Sequence, residues 1–267
     1  KSEGDKPVIT VTIEPLRYFT EAIAGDNFNV ISMVPKGSSP ETYDPTPQQL
    51  TRLSKSEAYL RIGHIGFEQS WMDRLTDNAP HMQIFDTSKG VELIHGEGHN
   101  HGDHFHAGGV DPHIWNSISN ARIIAKNTFQ ALITLDKTNE NYYLHRYDSL
   151  CKVINRTDSV INNIFQTRKA DHAFMIYHPA LSYFARDYGL HQICIEEEGK
   201  EPSPAHLRDL IEICKEEEVR IIFVQPEFDR RNAEIIAKQT NTNIVDVNPL
   251  SYNWEKEMIH IANSLCK

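Results

Sequence analysis

The stretch GEGHNHGDHFHAGGVDPHIW, residues 96–115, together with the residue before it, holds six of the chain's fourteen histidines: His95, His99, His101, His104, His106 and His113. Neutral imidazole is the commonest side-chain ligand for transition metals, so metal capture is the first chemistry to weigh. The six fall into two classes. From His95 to His106 the spacing is irregular and broken by glycine, and six of the thirteen glycines lie between Gly90 and Gly109. Such a stretch cannot bury a core. It reads as a loop over 91–110 whose histidines either collect metal at low affinity, without fixed geometry, or stay solvated and idle. His113 sits differently, in VDPHIW. Pro112 fixes the backbone before it, and Ile114 and Trp115 supply bulk after it. That is how a ligand is held rigidly, and also how a buried histidine would look if satisfied by hydrogen bonds. His178, in MIYHPALSYFARDYGL, falls where a strand gives way to a helix.

These side chains need a frame. PVITVTI (7–13) is a short β-branched run and reads as a strand. LRYFTEAIAG (16–25) has helical spacing and stops at a glycine. FNVISMV (28–34) is strand-like, and TPQQLTRLSKSE (46–57) is a helix with Thr46 as cap and Pro47 in its first turn. AYLRIG, FEQSWMDRL and MQIFDT continue as strand, helix and strand. The alternation predicts a parallel sheet flanked by helices. Between Ile114 and His178 there is no Gly or Pro. There Tyr143, Tyr147, Leu150, Ile154, Ile161 and Ile164 form one helical stripe, which predicts a long connecting helix over 138–168.

The alternation then resumes: HAFMIY, LHQICI, VRIIFV and NIVDV as strands, separated by helices and followed by a terminal helix over 252–266. The expected architecture is α/β, with an N-terminal lobe over 1–137 and a C-terminal lobe over 169–267. Each lobe is a parallel sheet flanked by helices, and the long helix joins them. Ligands of open α/β sheets sit beyond the carboxyl ends of strands. His113 and His178 are therefore expected to face one cleft between the lobes.

Composition excludes several classes. The 267 residues are 39% hydrophobic and 24% charged, with a formal net charge of -10. A broad nucleic-acid footprint or a basic membrane-binding face is not expected. No apolar run approaches the roughly 18–20 residues of a membrane span. The four cysteines, Cys151, Cys194, Cys214 and Cys266, form no C-x-x-C pair. They read as small buried hydrophobes, with a single Cys214–Cys266 disulfide left open. The acidic runs EEEGKE (196–201) and KEEE (215–218) read as solvated surface. The sequon at Asn155 lies on the expected connecting helix and is assigned nothing. No H-E-x-x-H or G-x-S-x-G motif supports a zinc or serine hydrolase.

The run VPKGSSPETYDPTPQQLTRLSKSEAYLRIGHIGFE resembles the first-lobe signature of the cluster A-I solute-binding proteins, the zinc- and manganese-binding components of ATP-binding-cassette importers. VDPHIW, HPALSYFARDYGL, EEEGKEPSPAHLRDLIEICKEEEVRIIFVQPEF and NIVDVNPL resemble later signatures in the same order, so the resemblance spans nearly the whole chain. It implies two lobes on one backbone helix and a metal held between them. It also implies a membrane permease as partner, no catalysis and a monomer. The place of action it implies is the periplasm or the outer face of the cytoplasmic membrane, with a lipid on a cysteine upstream of the given sequence as the anchor. A His-rich tract before the D-P-H motif resembles the zinc-type members, so Zn2+ is the expected ion and Mn2+ the alternative. Two positions depart from the family pattern. Glu41, in SPETYDP, stands where the family has His. Carboxylate oxygen binds zinc and also suits harder ions, so Glu41 either ligates or points away. Asn248, in VNPL, stands where the family has Asp. Asp246, on the same strand face two residues earlier, is the candidate carboxylate, with Asn248 as the alternative. The implied ligand set is therefore His113, His178, Glu41 and Asp246. An adhesin on the same fold is the competing reading.

Overall fold

The computed structural model describes residues 3–96, 99–101, 104–106 and 109–267; for residue 3 and the two three-residue segments it describes the backbone alone. The chain forms two compact units. One comprises residues 1–155 and 250–253, the other residues 156–249 and 254–267.

The first unit is built on β1 (Val8–Val11), β2 (Asn29–Ser32), β3 (Ser56–Arg61) and β4 (Gln83–Asp86). They lie in the order β2-β1-β3-β4, with every pairing parallel. The expected strands form, each trimmed to its hydrogen-bonded centre. Helix α1 (Glu14–Ala24) starts two residues earlier than its apolar spacing suggests, because Pro15 occupies its first turn, where a missing N–H costs nothing. It ends at Gly25, whose φ of 58° suits glycine. A Cβ there would also meet the Tyr142 hydroxyl at 2.1 Å. Helices α2 (Pro47–Leu53) and α3 (Gly66–Asn78) follow.

Between β4 and α4 (Ile118–Leu135) runs the histidine tract. Read from sequence as a loop, it contains two short antiparallel strands, β5 (His99–His101) and β6 (His104–His106), with His99 opposite His106. Its base is zipped: His95 bridges to Val110, and Gly96 N–H donates to Gly109 at 2.9 Å.

Helix α5 (Glu140–Thr167) is the expected connector, continuous across the boundary between the units. Tyr143, Leu150, Ile154, Ile161 and Ile164 are buried along it, and Tyr147 stacks on Phe129 at 4.8 Å. No helix among the described residues is long and apolar enough to cross a membrane.

The second unit carries β7 (Ala173–Ile176), α6 (Ser182–Tyr188), β8 (His191–Cys194), α7 (Pro204–Glu216), β9 (Ile221–Val224), α8 (Arg231–Thr240), β10 (Asn243–Asp246) and α9 (Trp254–Ser264). Its sheet order is β10-β9-β7-β8, again parallel. Numbered within each unit, both sheets read second, first, third, fourth. Both therefore reverse direction beside their first strand, the place where open α/β sheets bind ligands. The central strands β7 and β9 are buried at every residue, as expected of strands covered on both faces. Cys214 packs in this core with Ile211, Val219, Ile222 and Ile236. Cys266 lies past α9, where it bridges to Ala170. All four cysteines are free thiols, so the Cys214–Cys266 disulfide does not form.

Candidate metal centre

In the first unit, Glu41 lies on the loop after β2. Gln49 of α2 ties that loop down. Its amide donates to the Met33 carbonyl at 2.7 Å, and its oxygen accepts from Thr46 N–H and from the Tyr43 hydroxyl, at 3.0 and 2.6 Å. Thr46 completes a capping box with Gln49, so the cap read from sequence also fixes the approach to Glu41. The loop then rests on the start of α3. Phe67 N–H donates to the Pro40 carbonyl at 2.7 Å, and a Cβ on Gly66 would come within 2.8 Å of Glu41 Oε2. The same Cβ would lie 3.1 Å from the Glu41 Cα and carbonyl oxygen, so a larger residue there would push Glu41 and its loop outward.

The Gly66 turn has its own support in Glu68, which is 1% exposed. Its carboxylate accepts from the Thr12 hydroxyl at 2.6 Å and from Ile62 and Gly63 N–H at 2.8 Å each. Burial pushes the Glu68 carboxyl up, and those donors pull it back.

His113 is 6% exposed. Asp111 Oδ1 accepts from its backbone N–H at 3.0 Å and bonds its ring Nδ1 at 2.9 Å. One carboxylate oxygen thus orients both the backbone and the imidazole, and it fixes Nδ1 as the protonated nitrogen. Nε2 faces Glu41 Oε1 at 3.7 Å. That Glu41 oxygen is buried and accepts no hydrogen bond. A buried carboxylate oxygen without a donor is costly, and a cation would relieve it.

In the second unit, His178 follows β7 at the point where the sheet reverses. Its Nδ1 bonds Glu196 Oε1 at 2.9 Å. Gln225, just past β9, clamps the backbone: its oxygen accepts from His178 N–H at 3.3 Å, and its amide donates to the His178 carbonyl at 2.7 Å. The Phe228 ring stacks on the imidazole at 5.2 Å. Glu227, between them in sequence, is half-buried, and burial raises its carboxyl against the pull of its own N–H and of His178.

The EEEGKE run is therefore not uniformly solvated. The Glu196 side chain is 10% exposed and turned onto His178. The register shows why. Ile176 pairs with Cys194, and the pairing continues past the strands, Glu196 N–H donating to Tyr177 O at 3.1 Å. The same offset of eighteen residues sets Glu196 opposite His178.

Asp246 behaves otherwise. Its side chain is 77% exposed and pairs with Arg230 at 3.1 Å, and among the described residues it joins no cluster of metal-ligating groups. β10 is an edge strand, and Asp246 is exposed at its end even though Ile244, on the same strand face, packs against the core. Asn248 is half-buried, with its backbone N–H on Glu257 Oε2 at 3.3 Å. His95 is exposed at the base of the tract. The side chains of His99, His101, His104 and His106 lie outside the described residues.

The family model described as zinc-uptake complex component A, periplasmic (ZnuA), matches residues 9–265. Among curated relatives, the manganese ABC transporter substrate-binding lipoprotein PsaA of Streptococcus pneumoniae is 29% identical over 91% of this chain and 80% of its own length. The iron ABC transporter substrate-binding lipoprotein MtsA of Streptococcus pyogenes serotype M1 is 28% identical over 91% and 79%. Among solved structures, a crystal structure of ZnuA is 33% identical with a TM-score of 0.89, covering 97% of this chain and 98% of that one. A zinc-bound ZnuA lacking its residues 138–173 is 34% identical with a TM-score of 0.88, covering 97% and 96%.

Proposed function

From the premise that the chain belongs to the ZnuA family of metal-binding components of ATP-binding-cassette importers, we propose that it captures zinc outside the cytoplasmic membrane and hands it to its permease. It is a solute-binding protein and not an enzyme, so the ion is cargo. In this reading Glu41, His113 and His178 together hold one ion. The observation that carries it is the buried Glu41 oxygen without a hydrogen-bond donor, facing an imidazole nitrogen whose partner nitrogen is already held by a carboxylate. His178 on Glu196 repeats the carboxylate–imidazole pairing typical of metal-ligating histidines. Two imidazoles and one carboxylate suit zinc. Water or a further side chain completes the shell; Asp246, paired with Arg230, is not carried forward. The histidines of the tract, His95 to His106, act in this reading as a second, weaker collector. Lipoprotein relatives support anchoring by a lipid at the membrane's outer face.

Manganese is the second reading, favoured by the carboxylate at position 41 and by relatives named for manganese and iron. Elemental analysis of protein purified without added metal, then competition calorimetry between zinc and manganese, separates the two. We expect zinc to win, and Glu41→His to widen its margin by supplying a softer donor. Manganese preference in the wild-type chain would overturn the zinc assignment. An unchanged preference in Glu41→His would take Glu41 out of the shell.

A further inference from the structure

The first unit holds a second concavity, of about 870 Å³, lined by none of the candidate metal ligands. Asn29, Val30 and Ile31, three consecutive residues of β2, all line it. Successive strand residues point to opposite faces, so lining by all three means that the cavity runs along the strand's edge. β2 is the terminal strand of its sheet, which leaves that edge open to pair with something else.

The lining has a sign. Lys6, Arg52, Lys55 and Arg146 contribute four cations against the carboxylates of Glu21 and Asp26, in a chain whose net charge is -10. Glu21 is already engaged: Arg17 donates to it at 2.7 Å and the Tyr252 hydroxyl at 2.6 Å. Arg146 spends its Nε on the Ala22 carbonyl at 2.9 Å. Lys6, Arg52 and Lys55 form no ion pair with any described residue. Lys6, Arg52 and Lys55 thus outnumber Asp26, the remaining lining carboxylate, around an apolar wall of Val8, Phe28 and Val30 with the Tyr18 and Tyr252 rings beside it.

We infer that this cavity binds an amphipathic anion, a phosphate monoester or carboxylate joined to an apolar or aromatic body. The cations take the charged head, the valines and aromatic rings take the body, and the β2 edge offers backbone hydrogen bonds. The volume is that of a small-molecule site, far larger than one ion needs. Soluble organic phosphates and anionic lipid headgroups share this chemistry.

The test is calorimetric titration of the whole chain with phenyl phosphate and with inorganic phosphate, and flotation with phosphatidylglycerol or phosphatidylcholine vesicles. We expect saturable binding of phenyl phosphate, tighter than inorganic phosphate. Reversing two charges together, Arg52→Glu with Lys55→Glu, should weaken it by about tenfold or more. A soluble ligand gives that result with no vesicle binding. A lipid ligand adds binding to phosphatidylglycerol but not phosphatidylcholine, lost in the same double variant. Zinc affinity should be unchanged in the variant, which reports an intact fold. Absence of saturable binding to both phenyl phosphate and phosphatidylglycerol would overturn the inference. So would binding that survives charge reversal, or phenyl phosphate bound no better than inorganic phosphate.

Discussion

His113 and His178 are held by the same chemistry through opposite kinds of sequence relation. Each ring has Nδ1 on a carboxylate at 2.9 Å. For His113 the carboxylate is two residues upstream, and the same oxygen also anchors the backbone. For His178 it comes from the turn after the neighbouring strand, eighteen residues on, while Gln225 anchors the backbone separately. One residue carries two tasks in the first unit; two residues divide them in the second. Local wiring links ligand orientation to local stability, and distributed wiring separates them.

The largest expected effect tests whether both rings ligate at all. His113→Ala and His178→Ala should each lose more zinc affinity than the roughly 10–100-fold typical of an outer partner. Calorimetry that finds either variant still binding like wild type removes that ring from the shell. Next, the division of tasks separates Asp111→Ala from Glu196→Ala. Both should lose zinc affinity by about 10–100-fold, but only Asp111→Ala should also melt measurably lower without metal. Equal melting temperatures for the two variants would break the comparison.

Glu68 sharpens the picture of the first unit. Glu68→Gln places an amide N–H₂ against donors already aimed at the carboxylate. The metal-free chain should be destabilised by about 1–3 kcal/mol in denaturant titration, with zinc affinity falling as the Gly66 turn under Glu41 loosens. A stable variant with normal affinity would show that Glu41 is positioned by its own loop alone. The smallest effect belongs to Asp246→Ala. An exposed ion pair with Arg230 is worth little, so zinc affinity should stay within about twofold, and a tenfold loss would return Asp246 to the site.

What could be read from the sequence divides along the same line. The strands, the Thr46 cap and the buried stripe of α5 are written in short-range spacing, and they form where expected. His113 and His178 stood out because proline and strand-end context are local signals. Glu196 did not, because its role depends on the β7–β8 register; within EEEGKE it looks like any solvated acid. Counting the same number of residues past each of two adjacent parallel strands would have found it. Asp246 misled for the converse reason. Alternation gives it a strand face shared with Ile244, which packs against the core, but nothing local says that the strand ends at this residue or which arginine waits beside it. Glu41 was legible as a departure from the family's pattern. Its setting against Gly66 required a contact between two loops far apart in sequence.

The return of residues 250–253 to the first unit has a consequence for how the chain acquires its structure. Tyr252 reaches back to Glu21 across 231 residues, and Arg17 stacks over its ring at 4.3 Å. A contact of that span closes late, because the entropy of a long loop must be lost before the contact repays it. The first unit therefore cannot reach its final form until the chain has been made through residue 253, after most of the second unit. A fragment ending at residue 155 should fold to an incomplete state that exposes Tyr18 and Arg17. Supplying 250–253 through a short engineered linker, in place of the whole second unit, should restore its cooperativity.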